Sequence, residues 1–164
     1  MGIIVDDKGN KIVEIDTILF SSKRKIDWVG VEKYLKRYIG EFYKIIGNGD
    51  IVYIGSDLPD EYTSSEYRRK ALGTIGKAKA NAAQAIPFLI ENATDGTFQE
   101  NFKEKHRYDA KYGWYKYCIR FSLPVCDDRK NVVGRNIFKG TMLIRHAFDG
   151  KKYLYDIIDI KKET

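Results

Sequence analysis

The sequence predicts an α+β fold, in which N-terminal hairpins and helices pack on a C-terminal antiparallel sheet of about four strands. Two patterns support this: apolar residues recur three and four apart in segments between residues 28 and 93, and they alternate with polar residues from residue 114 onward. The 164 residues, 43% of them hydrophobic, suit one domain with a real core. We divide it into a hairpin and helix extension (1–50) and a core (51–164).

Two short hairpins are predicted near the N-terminus. The first joins strands 3–5 and 11–15 through a segment rich in Asp, Gly and Asn. The second joins strands 42–46 and 51–55 through Gly47-Asn48-Gly49-Asp50. Turn residues of these types between apolar runs favour antiparallel pairing of the neighbouring segments.

Helices account for most of the chain before residue 94. Asp27 can cap the first helix, in which Val31, Tyr34, Leu35 and Tyr38 share one face. Pro87 lacks a backbone N–H donor and therefore marks a kink or a new first turn. The predicted helical segments are 28–38, 63–72, 74–85 and 87–93, with a loop at 57–60.

Three long strands are predicted in the last third. Residues 114–125, 136–147 and 152–160 alternate between apolar and polar side chains. The segment 127–131 and the Asp149-Gly150 pair supply the turns between them. These strands form an antiparallel meander.

The basic charge is concentrated in that same third. The chain has a formal net charge of +6; residues 1–100 carry 14 Lys and Arg against 15 Asp and Glu, whereas residues 101–164 carry 15 against 8. A positive field attracts polyanions such as RNA. A solvated sheet face of the same charge is the alternative interpretation.

The sequence lacks the patterns of membrane, secreted, disulfide-bonded and metal-binding proteins. There is no run of 18 apolar residues and no basic segment followed by an apolar run, so we expect no membrane association and no signal peptide. Cys118 and Cys126 lie too far apart on one strand to form a disulfide, and we expect free thiols in the cytosol. Zinc, EF-hand and P-loop spacings are missing, so we expect neither a metal nor a cofactor.

The two histidines are candidates for acid–base chemistry. His106 lies between Lys105 and Arg107, and His146 follows Arg145. Metal-independent RNA cleavage needs a base for the 2′-hydroxyl, cations for the charged phosphorane and an acid for the departing 5′-oxygen. Each histidine is more often a simple surface residue, since basic neighbours alone do not make one catalytic.

Basic and tyrosine side chains on the predicted strands could complete such a site. Arg120 and Arg145 belong to neighbouring strands and are candidates to hold a phosphate. Arg120 could instead pair with Asp156 or Asp159 across the sheet. The further candidates for substrate contact or proton transfer are Tyr115, Lys116, Tyr117, Tyr153 and Tyr155.

Four blocks of the sequence resemble the C-terminal domains of prophage-encoded and mobile-element proteins. The blocks are 54–67, 77–94, 105–125 and 142–164, within a resemblance that covers roughly residues 50–164. We associate these domains with the phage branch of the barnase/EndoU/colicin/RelE-like (BECR) nuclease superfamily. The chain departs from the pattern at Lys116-Tyr117-Cys118, where we expect Arg-Tyr-Asp.

The resemblance implies a helical half on a four-stranded antiparallel sheet and metal-independent RNA cleavage through the 2′-hydroxyl. It also implies a toxin that acts on RNA such as tRNA or mRNA in the cytoplasm of the producing or target bacterial cell, paired with an acidic immunity or antitoxin protein. The positions that match are Lys105, His106, Tyr115, Arg120, Arg145, His146 and Tyr155.

The resulting hypothesis is an endoribonuclease. His106 acts as base or acid, Arg120 and Arg145 hold the phosphate, and His146 or Tyr155 completes the proton transfer. The substrate-binding candidates are Lys105, Tyr115, Lys116 and Tyr153. A non-catalytic nucleic-acid-binding or partner-docking accessory domain of a phage protein remains the alternative; an ADP-ribosyltransferase is disfavoured, because the last three strands hold no Glu before Glu163.

Overall fold

The strands occupy a larger part of the chain than the sequence predicts. The computed structural model describes residues 1–21, 25–64, 73–101, 103, 106, 107 and 109–163. Eight strands in these segments form one sheet. They are β1 (Gly2–Val5), β2 (Lys11–Glu14), β3 (Phe42–Lys44), β4 (Ile51–Tyr53), β5 (Thr94–Gln99), β6 (Trp114–Cys126), β7 (Val132–His146) and β8 (Lys152–Lys162).

The sheet is mixed rather than antiparallel. Its strand order is β1-β2-β6-β7-β8-β4-β3, and β5 pairs with the first half of β6. The long strands β6, β7 and β8 form the predicted antiparallel meander. However, β2 joins β6 in parallel and β4 joins β8 in parallel.

The predicted fold class is therefore wrong. Instead of helices and separate hairpins packed on about four antiparallel strands, the structure has eight strands in one mixed sheet. The two N-terminal hairpins extend this sheet on opposite sides, through the parallel pairs Val13–Phe121 and Val52–Lys152. Such pairs join segments that are about a hundred residues apart, so no turn motif in the sequence announces them.

Four α-helices lie in the described residues. They are α1 (Trp28–Leu35), α2 (Leu58–Ser64), α3 (Gly73–Ala82) and α4 (Ile86–Glu91), with 3₁₀ turns at Lys36–Tyr38 and Ala83–Ala85. As predicted, the Asp27 carboxylate caps α1 by accepting a hydrogen bond from the backbone N–H of Gly30, 2.9 Å away. The loop predicted at 57–60 is wrong because α2 begins there, with Pro59 in its first turn. Most of the helix predicted over 63–72 falls outside the described residues.

The two faces of the meander differ in burial. One face is buried beneath the helices, with Ile119, Phe121 and Ile144 almost inaccessible to solvent. Because side chains alternate along a strand, the neighbouring residues face the other way. We call this second side the open face; it carries Lys116, Cys118 and Arg120 of β6 and Lys139 and Thr141 of β7.

A buried ion pair links α3 to β8. The Lys79 ammonium lies 2.9 Å from the Asp156 carboxylate, and the two side chains are 0% and 4% exposed. At this point the pairing of β7 with β8 shifts register: Leu143 faces Asp156, but Ile144 faces Leu154. Tyr155 is consequently the extra residue of a β-bulge, a feature that redirects side chains.

No helix in the described part of the chain is long and apolar enough to cross a membrane.

Candidate active site

The start of β6, the end of β7 and the start of β8 meet at one end of the sheet. Trp114 lies opposite Arg145, which lies opposite Tyr153, so the three side chains share the open face. His106 and Asp109, which come between β5 and β6 in the sequence, lie beside them. We call this end the His106 site.

His106 is held by one carboxylate and two aromatic rings. Its Nδ1 lies 3.0 Å from Oδ2 of Asp109, and its side chain is 11% exposed. The imidazole stands perpendicular to the ring of Trp114, at 5.1 Å between centroids, and to that of Tyr155, at 5.7 Å. These contacts fix the ring plane, and the carboxylate favours the tautomer with its proton on Nδ1.

Two hydrogen bonds hold the main chain at His106. The side-chain amide nitrogen of Asn101 donates to the His106 carbonyl oxygen at 2.9 Å, and the backbone N–H of Ala110 donates to the same oxygen at 2.9 Å. Gly113 then enters β6 with φ of +104°, a conformation that favours glycine. The turn thus presents His106 and Asp109 from the same side.

Tyr155 lies on the same face of β8 as Tyr153, two positions further along the strand. Its ring lies 5.0 Å from that of Trp114. Burial and a hydrogen bond to the Glu61 carboxylate raise the pKa of the Tyr155 phenol. Tyr155 therefore keeps its proton at neutral pH and is a hydrogen-bond donor.

Arg145 connects the site to α2. Its Nε and Nη2 each lie 3.2 Å from an oxygen of Asp57, and its Nη1 donates to the Asp109 carbonyl oxygen at 3.0 Å. Its guanidinium also lies 4.3 Å from the ring centre of Tyr153. These contacts use three of the five N–H donors of Arg145, so the side chain positions Asp57 and Asp109.

Tyr153 is fixed by a carboxylate in the β7–β8 turn. Its hydroxyl donates to Oδ2 of Asp149 at 2.6 Å. That hydrogen bond, together with burial, raises the pKa of Tyr153 to about 12. The phenol thus also stays neutral at physiological pH.

His146 does not share the site. As the residue after Arg145 on a strand, it points to the opposite face. Its Nε2 lies 3.1 Å from the Gly150 carbonyl oxygen, and its ring packs near Tyr112 and Tyr115 at 5.2 and 6.0 Å. Tyr115 belongs to this second cluster and packs against the core.

Arg120 lies far from His106. It faces Lys139 across the sheet, and Lys139 is six positions before Arg145 on β7, which corresponds to about 20 Å along the strand. Its guanidinium contacts Asp6 at 2.6 Å and Glu163 at 3.0 Å, rather than Asp156 or Asp159. The two arginines expected to hold one phosphate are therefore not brought together.

The two lysine candidates for substrate binding are Lys116 and Lys105. Lys116 points to the open face, two residues after Trp114, and lies opposite Leu143. It is partly exposed, so its ammonium can reach a ligand beside the His106 site. Lys105 lies outside the described residues.

Three acidic residues at this end are absent from the sequence-based hypothesis. Asp109 follows His106 by three positions in a turn, a spacing that could have suggested the pair. Asp57 directly precedes α2 and Glu61 lies within it, and no local pattern links them to Arg145 or Tyr155. Within the described ranges, no group of three or more His, Cys, Asp or Glu is placed to hold a metal ion.

Comparisons with known proteins identify no relative: no family model, no curated protein and no solved structure matches the chain.

Proposed function

We propose that this chain is a metal-independent endoribonuclease whose active centre is the His106 site. The observation that carries the proposal is the His106–Asp109 pair, joined at 3.0 Å and set beside the protonated phenol of Tyr155. A histidine oriented by a carboxylate is a general base suited to neutral pH. A neighbouring neutral phenol can supply a proton in the same reaction.

His106 is the base in this proposal. With Nδ1–H donated to Asp109, Nε2 carries the lone pair that removes the proton of a ribose 2′-hydroxyl. The 2′-oxygen then attacks the adjacent phosphorus, and the bond from phosphorus to the 5′-oxygen breaks. The products are a 2′,3′-cyclic phosphate and a 5′-hydroxyl, so no water and no redox partner is consumed.

Tyr155 donates the proton that the departing 5′-oxygen needs. Its raised pKa keeps the proton in place until negative charge develops on that oxygen. The phenol donates this proton to Glu61 in the free protein, so the hydrogen bond to Glu61 gives way to one with the 5′-oxygen when RNA binds. Proton return from His106 through solvent restores both groups for the next turnover.

Positive charge for the phosphorane comes from Lys116 in this scheme. Its side chain lies on the open face beside Trp114, and among the residues that the structure describes no carboxylate forms an ion pair with it. Arg145 is a positioning residue in this scheme, because three of its five N–H donors hold Asp57 and the Asp109 carbonyl oxygen. Tyr153 packs under that guanidinium and supports its position.

The biological setting follows from the sequence resemblance. We propose a prophage or mobile-element toxin domain that acts on tRNA or mRNA in the cytoplasm of a bacterial cell. An acidic immunity or antitoxin protein would match the basic charge of residues 101–164.

The two histidines provide a matched test. Purified protein is incubated with total RNA and with tRNA in EDTA buffer, as wild type, His106→Ala and His146→Ala. We expect wild type and His146→Ala to cleave at similar rates and His106→Ala to be slower by about 10²–10⁴-fold, the usual contribution of a general base. Intact RNA with wild type, or equal rates for His106→Ala and wild type, contradicts the proposal.

A second function, binding of nucleic acid without cleavage, is favoured by a different observation. Residues 101–164 carry 15 Lys and Arg against 8 Asp and Glu, whereas Arg120 and Arg145 lie about 20 Å apart and do not hold one phosphate together. This function predicts salt-dependent RNA binding that survives His106→Ala, with no product at any time. Product formation by the wild type decides against it.

A further inference from the structure

A groove of about 750 Å³ opens on the middle of the open face, away from the His106 site. Strands β5, β6, β7 and β8 contribute to it, and the turn between β1 and β2 forms one wall. Its volume falls in the range that small-molecule sites occupy.

Three cations cross the groove in one row. Arg120 of β6 lies directly opposite Lys139 of β7, which lies directly opposite Lys161 of β8. Directly opposed residues have Cβ atoms about 5 Å apart, and like charges at that distance are destabilising. A folded sheet keeps such a row at a cost in stability unless an anion compensates it.

Within the part of the chain that the structure describes, only one of these cations is paired with carboxylates. The Arg120 guanidinium contacts the carboxylates of Asp6 and Glu163. Lys139 and Lys161 have no ion pair or hydrogen bond to a side chain among the residues that the structure describes, although both line the groove. Arg120 thus holds the β1–β2 turn as a wall, and the two lysines present their ammonium groups to the groove.

Two aspartates line the groove in a strained backbone conformation. Asp95 and Asp159 each have φ of +54°, which L side chains adopt at a cost. Each lies where the strand pairing shifts register, in β5 between Thr94 and Thr97 and in β8 opposite the Lys139–Thr141 step. Such bulges redirect side chains and are common beside functional sites.

We infer that this groove binds a phosphorylated ligand that also carries hydroxyl or amino donors, the chemistry of a nucleotide. The phosphate lies between the ammonium groups of Lys139 and Lys161, and both ammonium groups donate charge-assisted hydrogen bonds to its oxygens. The carboxylates of Asp95 and Asp159 accept hydrogen bonds from sugar hydroxyls or a base amino group. The site is separate from the His106 site and does not depend on RNA cleavage there.

The phosphate can come from a free nucleotide or from one segment of an RNA strand, and two probes distinguish these sources. One is a set of the four 5′-nucleoside monophosphates. The other is a short 2′-O-methyl oligonucleotide, which has no 2′-hydroxyl to be attacked. Binding of the monophosphates indicates a free nucleotide, whereas binding of the oligonucleotide alone indicates an RNA segment.

The two cysteines offer a direct readout of occupancy. Cys118 lines the groove, whereas Cys126 lies at the far end of β6, and both are exposed. We expect a bound probe to slow iodoacetamide alkylation of Cys118 severalfold and to leave Cys126 unchanged, as measured by peptide mass spectrometry. Equal protection of both thiols, or of neither, overturns the inference.

Charge removal provides the matched variant. We expect Lys139→Gln/Lys161→Gln to weaken probe binding about tenfold or more in calorimetry, because the phosphate loses both cations. The double variant Lys33→Gln/Lys36→Gln removes the same charge from exposed positions in α1 and the 3₁₀ turn after it, and it should bind like wild type. Binding that both variants preserve, or that both reduce equally, rules out a phosphate site at this groove. RNA cleavage with an empty groove would refute only this inference, whereas probe binding by a protein that never cleaves RNA would refute only the proposed nuclease.

Discussion

Replacing Asp156 by Asn tests the packing that holds Tyr155 in the His106 site. The substitution keeps the size of the side chain but removes the negative charge 2.9 Å from the Lys79 ammonium. Lys79 is fully buried between α3 and β8, so water cannot replace the lost charge. We therefore expect a large loss of stability from a change of very few atoms.

The magnitude follows from the burial of both partners. Removing one member of a buried ion pair costs about 3–5 kcal/mol, because the remaining charge loses its compensation in a medium of low dielectric constant. We expect Asp156→Asn to lower the free energy of unfolding by about 3 kcal/mol, since the Asn amide can still pack in the same space. Lys79→Met/Asp156→Leu removes both charges and should come within about 1–2 kcal/mol of wild type.

Urea unfolding followed by circular dichroism measures these differences, provided that the slope against urea concentration stays constant. Asp128→Asn, at an exposed turn position, is the control and should change stability by less than about 0.5 kcal/mol. A loss below about 1 kcal/mol for Asp156→Asn would show that the pair is solvated and that it does not fix the β8 bulge.

Two further substitutions test the conformation of the open face and its border. Gly113→Ala should destabilise the protein by about 1–3 kcal/mol, because φ at Gly113 is +104° and a Cβ there would lie 2.7 Å from the carbonyl oxygen of Gln99. Gly134 has open space around it, so Gly134→Ala is the control and should leave the free energy of unfolding nearly unchanged in the same urea assay. The hydrogen bond from Arg120 lowers the pKa of Asp6, so the stabilisation from this pair is complete above the ordinary aspartate pKa and is lost as pH falls through the lower value of the folded state. The difference in melting temperature between wild type and Arg120→Ala should thus be full at pH 6 and shrink below about pH 4; a difference that does not vary with pH would show that Asp6 contributes nothing.

Elements that a local sequence pattern specifies can be predicted from the sequence alone. The β6–β7–β8 meander alternates strictly enough to be recognised, and the Asp27 cap marks the start of α1. The strand order of the sheet could not be predicted, because its parallel pairs join segments that are far apart in the sequence, such as Val52 with Lys152. Strand β5, Thr94–Gln99, is exposed along its length and carries no apolar alternation, so its sequence resembles a loop.

Part of the His106 site can also be predicted from the sequence, because strand alternation is a local pattern. Strand alternation and register place Arg145 and Tyr153 on one face. The contact of Arg145 with Asp57 depends on how α2 packs against β8, which sequence spacing does not encode. Register also separates Arg120 from Arg145, because two residues on neighbouring strands can be far apart along them.

The most direct test of the nuclease proposal is the chemistry of the cleaved ends. An RNA oligonucleotide and its 2′-O-methyl counterpart are incubated with the wild-type protein and with His106→Ala in EDTA, and the products are analysed by mass spectrometry. We expect fragments ending in a 2′,3′-cyclic phosphate from RNA with the wild type only, and none from the 2′-O-methyl strand. Uncut RNA, cleavage of the 2′-O-methyl strand, or the same fragments from His106→Ala would contradict it.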